Sequence, residues 1–421
     1  MKTAFALLAM LLISPISSRG DEPKAAVVAD ADEFPRGEPG NLGIDADALE
    51  KLRKRSEESR SDAVVIIKDG RLVADWDFGQ KRRPVEAMSA TKSIVSLAIG
   101  RLIDAGKIKS IEQPVCDFYS EWKQGRKKSI TIRHLLNQTS GLQNLSATSS
   151  EIYPSPDFVQ LALAAELSDD PGSKFSYNNK AVNLLAGVVK QASGMRMDKY
   201  LGKEIFEPLG IRDYSWTLDR AGNPHGMSGL QIGAIDLAKI GQMMLDEGSW
   251  NGKQVLSKDW VRQSIEPSQE HYPLYGLLWW LHFESETVSI NDEYIKYFRT
   301  HGMTPTSLAK LEELKGNFLE NHATRNTLLP IILGDEVIKK QLEKLNDMPQ
   351  LKPIVRGPLR SYEAQGYLGQ FLIVVPRDRI VAVRQRRGPG GNDPDLELKR
   401  SFLDFADMIA ALVDKPARTK R

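Results

Sequence analysis

The chain predicts an α/β fold: one antiparallel sheet built from strands near both chain ends and flanked by helices, with a mainly helical region inserted in its middle. Three observations predict it. Ala63–Ile67 and Leu72–Gly79 read as two strands around a tight turn. Gln370–Val375 and Ile380–Val383 read as a second pair near the C-terminus. Between them, from Ile111 to about Ser268, apolar residues recur at helical spacing with frequent breaks. Period-2 and β-branched runs at both ends, with helical periodicity between, describe a sheet that the chain leaves and re-enters.

Taken in order, residues 1–20 read as a secretory signal peptide rather than part of the fold. Lys2 gives a basic start, Ala4–Ile13 an apolar run too short to span a membrane, and Pro15–Ser18 small residues for cleavage. Residues 21–44 are rich in Pro, Gly, Asp and Glu and read as a flexible lead-in. The folded domain is placed at 45–415. Asp45 caps a helix through Leu49, Leu52 and Arg55. The first strand pair turns at Lys68-Asp69-Gly70-Arg71. Asp157–Leu167, Val182–Ala192 and Ile235–Glu247 are helices of the inserted region, and Tyr275–Leu281 reads as a buried strand. Residues 284–361 are polar and less regular, an insertion over the core. Within it Thr304-Pro305 caps one helix, and a second runs near Ile338–Leu345. Leu396–Val413 reads as a closing helix.

Composition narrows the partners. The chain has 421 residues, 41% hydrophobic and 27% charged, an ordinary globular balance. Losing residues 1–20 removes Lys2 and Arg19 and no acid, so the formal charge falls from +2 to zero. A neutral balance argues against nucleic acid. Export and the lack of a long apolar run after residue 20 predict a secreted or periplasmic protein with no stable membrane span. The lone Cys116 excludes an intrachain disulfide and reads as a packed thiol. The six histidines show no metal-ligand spacing, so neither metal nor cofactor is expected. No G-x-S-x-G elbow occurs, and Gly388-Pro389-Gly390-Gly391 lacks the Lys-Ser of a phosphate cradle, so it reads as a loop.

The chemistry centres on Ser89-Ala90-Thr91-Lys92. An apolar run from Ile94 to Ile103 follows at once. If that run is helical, positions i and i+3 share a face and the Lys92 amine reaches the Ser89 hydroxyl. A hydroxyl becomes a nucleophile when a base takes its proton, and a lysine is that base when burial keeps it partly neutral. Ser120/Lys123 and Ser307/Lys310 share the spacing, and roughly one or two chance matches suit a chain this long. Context separates Ser89 from them: a helix start, a buried continuation and two partner segments. These are Tyr177-Asn178-Asn179, the single Y-x-N of the chain, and Ala364-Gln365-Gly366-Tyr367-Leu368-Gly369-Gln370 at the entry to a strand.

This set resembles the serine β-lactamase and penicillin-binding-protein superfamily, with its S-x-x-K, [SY]-x-N and K-T-G-like segments. The tyrosine resembles the class C β-lactamase-related branch. Ile130–Leu142, Gly226–Leu230 with Asp236–Gly241, and Gly369-Gln370 with Val375-Pro376 resemble that branch's intervening segments. The resemblance covers about residues 45–285 and 362–413 and implies a β-lactamase/transpeptidase-like fold. It implies that Ser89 is acylated and that Lys92 and Tyr177 move its proton. Asn179 would bond the substrate amide and the Lys92 amine. The N–H groups of Ser89 and Tyr367, beside Gly366, would hold the oxyanion.

One departure narrows the substrate. Ala364-Gln365-Gly366 stands where β-lactamases carry a cation for the substrate carboxylate. Related esterases and 6-aminohexanoate-oligomer hydrolases share the replacement, and Tyr275-Gly276 with Trp279-Trp280 resembles that subgroup. The expected substrate is therefore a small ester or amide. A true β-lactamase or D-alanyl peptidase, and a non-catalytic envelope-binding relative, are the alternatives. Trp279 and Trp280 read more readily as core than as substrate wall, and the oligomeric state is open.

Overall fold

The computed structural model describes residues 34–413 apart from 80–82, 145–147, 321–327, 329, 342–350 and 389–400. The signal-peptide reading, the end of the second insertion helix, the start of the closing helix and Pro389–Gly391 lie outside the described residues.

Seven strands form one sheet: β1 (Ala63–Lys68), β2 (Arg71–Asp77), β3 (Trp280–Ser289), β4 (Phe318–Glu320), β5 (Ile354–Gly366), β6 (Gln370–Val375) and β7 (Ile380–Gln385). Their order is β2-β1-β7-β6-β5-β3-β4, every neighbouring pair antiparallel. The N-terminal hairpin thus pairs with the last strand, Ala63 opposite Gln385 through Lys68 opposite Ile380. The β1–β2 turn has both Asp69 and Gly70 at positive φ, the geometry that Asp-Gly favours.

Over β1, β7 and β6 the sheet is covered on both faces, which is why these strands are buried runs rather than alternating ones. Val65, Ile67, Leu372, Val374, Val381 and Val383 join the main core with the helical region. Val64, Ile66, Ile373, Val375, Ile380 and Ala382 face a second core with Leu52 of α1 (Ala46–Glu58) and Phe405 and Ile409. Asp45 caps α1 by accepting from the Ala48 N–H at 2.6 Å. At the heart of the main core lies α2 (Thr91–Asp104), buried on every side from Thr91 to Gly100. Beside it runs α3 (Asn179–Ser193), and α4 (Ala234–Leu245) lies against β7, β6 and β1.

Four expectations are corrected. The lead-in is not loose throughout. Phe34 and Ile44 are buried, Leu72 N–H donates to Pro35 O at 2.8 Å, and Ile44 bridges Val413. Two apolar side chains among the Pro and Gly anchor its described part, residues 34–44. Residues 275–279 are not a strand: Leu278 sits at φ +65°, and β3 begins only at Trp280. Residues 284–361 are not simply a cover, because β3 and β5 run deep into them and carry the edge strand β4. Helices at Asp292–Thr300, Pro305–Glu313 and Glu336–Lys339 form their own small core around Phe298, Leu311 and Ile338. Among the described residues the closing helix is α5 (Phe405–Ala410) alone. No described helix is long and apolar enough to cross a membrane.

Candidate active site

The approach to Ser89 is a built device. Val85–Glu86 pairs with Leu230–Ile232, and Ala87 N–H donates to Leu230 O at 2.8 Å. Met88 then takes φ +49°, a conformation few side chains adopt, and Met88–Ala90 forms one 3-10 turn that runs straight into α2. Ser89 stands in that turn, just ahead of the α-helix proper, and is part-exposed.

Lys92 follows on the inner face and is 2% exposed. Its Nζ donates to Ser89 Oγ at 3.0 Å and to Met227 O at 2.8 Å. Burial alone lowers its pKa from the ordinary 10.5 to about 7. A large fraction is therefore neutral amine at neutral pH, the form that accepts a proton.

Tyr177 completes the group. Lys92 Nζ lies 5.0 Å from the centre of the Tyr177 ring. Burial raises the phenol to about 12, while a hydrogen bond with Ser89 pulls the other way. Its loop is fixed from the segment Ile130–Leu142. Gln138 accepts the Ser176 N–H on its backbone carbonyl at 2.8 Å and the Asn178 N–H on its side chain. Asn144 Nδ2 donates to Tyr177 O at 3.0 Å. Asn178 caps α3, accepting from Lys180 and Ala181 N–H.

Asn179, at the first turn of α3, departs from expectation. Its Nδ2 donates to Thr148 Oγ1 at 2.8 Å and its Oδ1 is enclosed without a partner. Among the described residues the second acceptor of Lys92 is Met227 O instead. A backbone carbonyl leaves no mark in the sequence, so this partner was not legible there.

On the opposite wall, Gly366 ends β5 against the Ser89 turn. A Cβ there would lie 2.4 Å from Ala87 O and 3.1 Å from Ala90 N. Tyr367 follows in the β5–β6 turn with its side chain 62% exposed. Ala364 is fully buried in the main core, so no cation projects from this strand at the β-lactamase position. Gln370 is buried and accepts the Arg386 N–H at 3.2 Å, which ties β6 to the end of β7. The two tryptophans divide. Trp279 is core, edge-on to Tyr362 at 5.6 Å. Trp280 stacks on Tyr177 at 5.7 Å, with Tyr275 edge-on to it at 4.7 Å.

Two-sided sheet, inserted helices and an S-x-x-K pair at the head of a buried helix define the serine β-lactamase and penicillin-binding-protein superfamily. The chain belongs to the Beta-lactamase family, whose model matches residues 46–401. It is similar to the 6-aminohexanoate-dimer hydrolase of Paenarthrobacter ureafaciens, 26% identical over 284 residues, covering 62% of this chain and 69% of that protein. It is also similar to Protein flp of Staphylococcus aureus, 25% identical over 188 residues, but over only 40% of this chain and 37% of that one. Among solved structures, a penicillin-binding protein from Bacillus halodurans superposes with a TM-score of 0.53 at 16% identity, covering 80% of this chain and 95% of that one. At that identity the likeness is one of fold.

Proposed function

We propose that this chain is a secreted serine hydrolase that cleaves a small ester or linear amide through an acyl-enzyme on Ser89. The observation that carries the reading is the Ser89–Lys92 pair at 3.0 Å, with Lys92 brought by burial to a pKa of about 7. Ser89 Oγ attacks the substrate carbonyl as neutral Lys92 takes its proton. The tetrahedral oxyanion is held by the N–H groups of Ser89 and Tyr367. Tyr177 gives its proton to the leaving oxygen or nitrogen and takes one from the Lys92 ammonium, so the bond to the leaving group breaks with charge balanced. Water then enters, loses a proton to Lys92 through Tyr177 and attacks the acyl carbon, and the Lys92 ammonium returns that proton to Ser89 Oγ as the ester bond breaks, so that both groups are restored.

The substrate class rests on Ala364 and Trp280. Without a cation at position 364, a penicillin-type carboxylate gains no ion pair at the end of β5, whereas the stacked rings of Tyr177 and Trp280, backed by buried Tyr275, suit an uncharged apolar group. The similarity to a 6-aminohexanoate-dimer hydrolase supports a linear amide as one such substrate. A fluorophosphonate serine probe tests the acyl-enzyme: it labels the wild type and fails on Ser89→Ala, and labelling that survives this change overturns the assignment. Tyr177→Phe lowers turnover by about 10²–10⁴-fold, the usual contribution of a positioned acid–base group. The substrate is ranked with p-nitrophenyl acetate and butyrate, a linear aminohexanoate amide, a chromogenic cephalosporin and a D-Ala-D-Ala peptide. A cephalosporin turned over fastest would return the chain to the β-lactamases.

A further inference from the structure

We propose that Asn183 is a positioning residue for the base, aiming the Lys92 amine at Ser89 through the backbone of Gly226 and Met227. The inference rests on the reading of Lys92 as the base. Asn183 lies on α3 one turn beyond Asn179 and is 1% exposed. Its Oδ1 accepts two consecutive backbone N–H groups, Gly226 at 2.9 Å and Met227 at 3.1 Å. The carbonyl of that same Met227 accepts from Lys92 Nζ at 2.8 Å. Position 226 tolerates only glycine in this arrangement, since a Cβ would lie 2.4 Å from Val182 O. The 226–227 backbone therefore rests directly on α3, and one side-chain oxygen fixes its register.

The chemical consequence follows from the donor count of an amine. Neutral lysine has two N–H groups and one lone pair. With one N–H committed to Met227 O, rotation about the Cε–Nζ bond is restrained, and the lone pair and the second N–H share the two remaining positions, one of which faces Ser89 Oγ 3.0 Å away. Without a fixed Met227 carbonyl, the amine turns freely, both N–H groups compete with the lone pair for Ser89, and proton abstraction loses its geometry. The same carbonyl also favours the ammonium form over the amine. Asn183 thus acts on both the aim and the basicity of Lys92 without touching it. Among the described residues the titratable group facing Lys92 is Tyr177, which stays protonated below about 12. The Nδ2 of Asn183 is buried and unpartnered, so its carbonyl oxygen is the part of the side chain at work.

The test compares Asn183→Leu and Asn183→Asp with the full-length wild type, reading the pH dependence of labelling by the fluorophosphonate probe and, in parallel, the folded fraction by circular dichroism. Asn183→Leu removes both acceptor bonds. Its maximal labelling rate falls about 10–100-fold, the loss seen when the outer partner of a metal-ligating histidine is removed, and the acid limb of the profile moves to lower pH. Asn183→Asp keeps both acceptor bonds and adds a negative charge near the ammonium, so it labels faster than Asn183→Leu and its acid limb moves to higher pH. A purely structural role would change the folded fraction and leave the limb where the wild type has it. Wild-type rate and limb in both variants overturn the inference. If Asn183→Leu does not fold, the limb of Asn183→Asp alone decides. Failure of the wild type to label at Ser89 is a different result and overturns the reading of the site.

Discussion

Gly366 lies against Ala87 so closely that a Cβ on it would sit 2.4 Å from the Ala87 carbonyl oxygen. The strand that ends at Gly366 is pressed onto the turn that carries Ser89, with backbone on backbone. Met88, already at φ +49°, has its own Cβ 3.0 Å from the same point. Neither side has a flexible side chain that could give way.

Gly366→Ala therefore pushes the Ser89 turn and β5 apart. The rate of acylation by a serine probe should fall about 10²-fold, as expected for a displacement near 1 Å at a reacting centre. Stability should fall by about 1–3 kcal/mol, the usual cost of overpacking. Urea unfolding and probe labelling on the same samples separate the two effects. Unchanged labelling would show that the contact between Gly366 and the Ser89 turn does not matter to acylation.

The pH profile should report Lys92. The amine takes the Ser89 proton only when neutral, and its pKa is about 7. With an ester substrate that does not itself ionise, kcat/KM should fall about tenfold per pH unit below 7 and level off above it. Tyr177, raised to about 12, stays protonated across the plateau and adds no alkaline limb below that range. A profile flat from pH 5 to 9 would remove Lys92 as the base.

Much of this arrangement was legible in the sequence because it rests on residues with few alternatives. Asp69-Gly70 permits the turn between β1 and β2, and Ser89 with Lys92 shares a helix face ahead of an apolar run. Asn178 is a strong capping residue at the start of α3. What escaped reading was held by backbone or by context. The Met227 carbonyl has no letter of its own. Asn183 looked like one more polar position on a helix. The reach of β5 was hidden because Ile354–Arg360 is largely exposed, so its strand pairing leaves no apolar alternation. Trp279 and Trp280 are adjacent and identical in type, and only the start of β3 decides which faces Tyr177.

Lys92 should also cost the fold stability. Its pKa is about 7 folded against an ordinary 10.5, so below pH 7 the native state buries a full ammonium. Between 7 and 10.5 the unfolded chain binds more protons than the native one, and stability rises with pH. The penalty is on the order of 5 kcal/mol at its acid limit, less the hydrogen bonds to Ser89 and Met227. Lys92→Met should abolish labelling of Ser89 and melt above the wild type at pH 6. The gap should close as pH approaches 10.5. A pH-independent difference in melting temperature would contradict a buried, shifted lysine.

A second buried cation works in the opposite sense over the same window. His282 on β3 pairs with Glu363 of β5 through Nε2 and with Glu286 through Nδ1 at 3.3 Å. Burial opposes the imidazolium, but the two carboxylates outweigh it and raise the pKa to about 9. A histidine raised from 6.5 to about 9 contributes stability that is complete below pH 6.5 and lost as pH rises through about 9, on the order of 3 kcal/mol. Because Lys92 gains stability while His282 loses it, the wild-type curve of unfolding free energy should be nearly level between about pH 7 and 9 and rise from there towards 10.5, and only variants resolve the parts of the level stretch. His282→Gln should be destabilised most at pH 6, should converge on the wild type above pH 9, and should expose the rising contribution of Lys92. Lys92→Met should show the falling contribution of His282 alone. Two urea-denaturation series across pH 6–10 therefore give slopes of opposite sign. Slopes of the same sign would mean that His282 is not held as an imidazolium between Glu363 and Glu286.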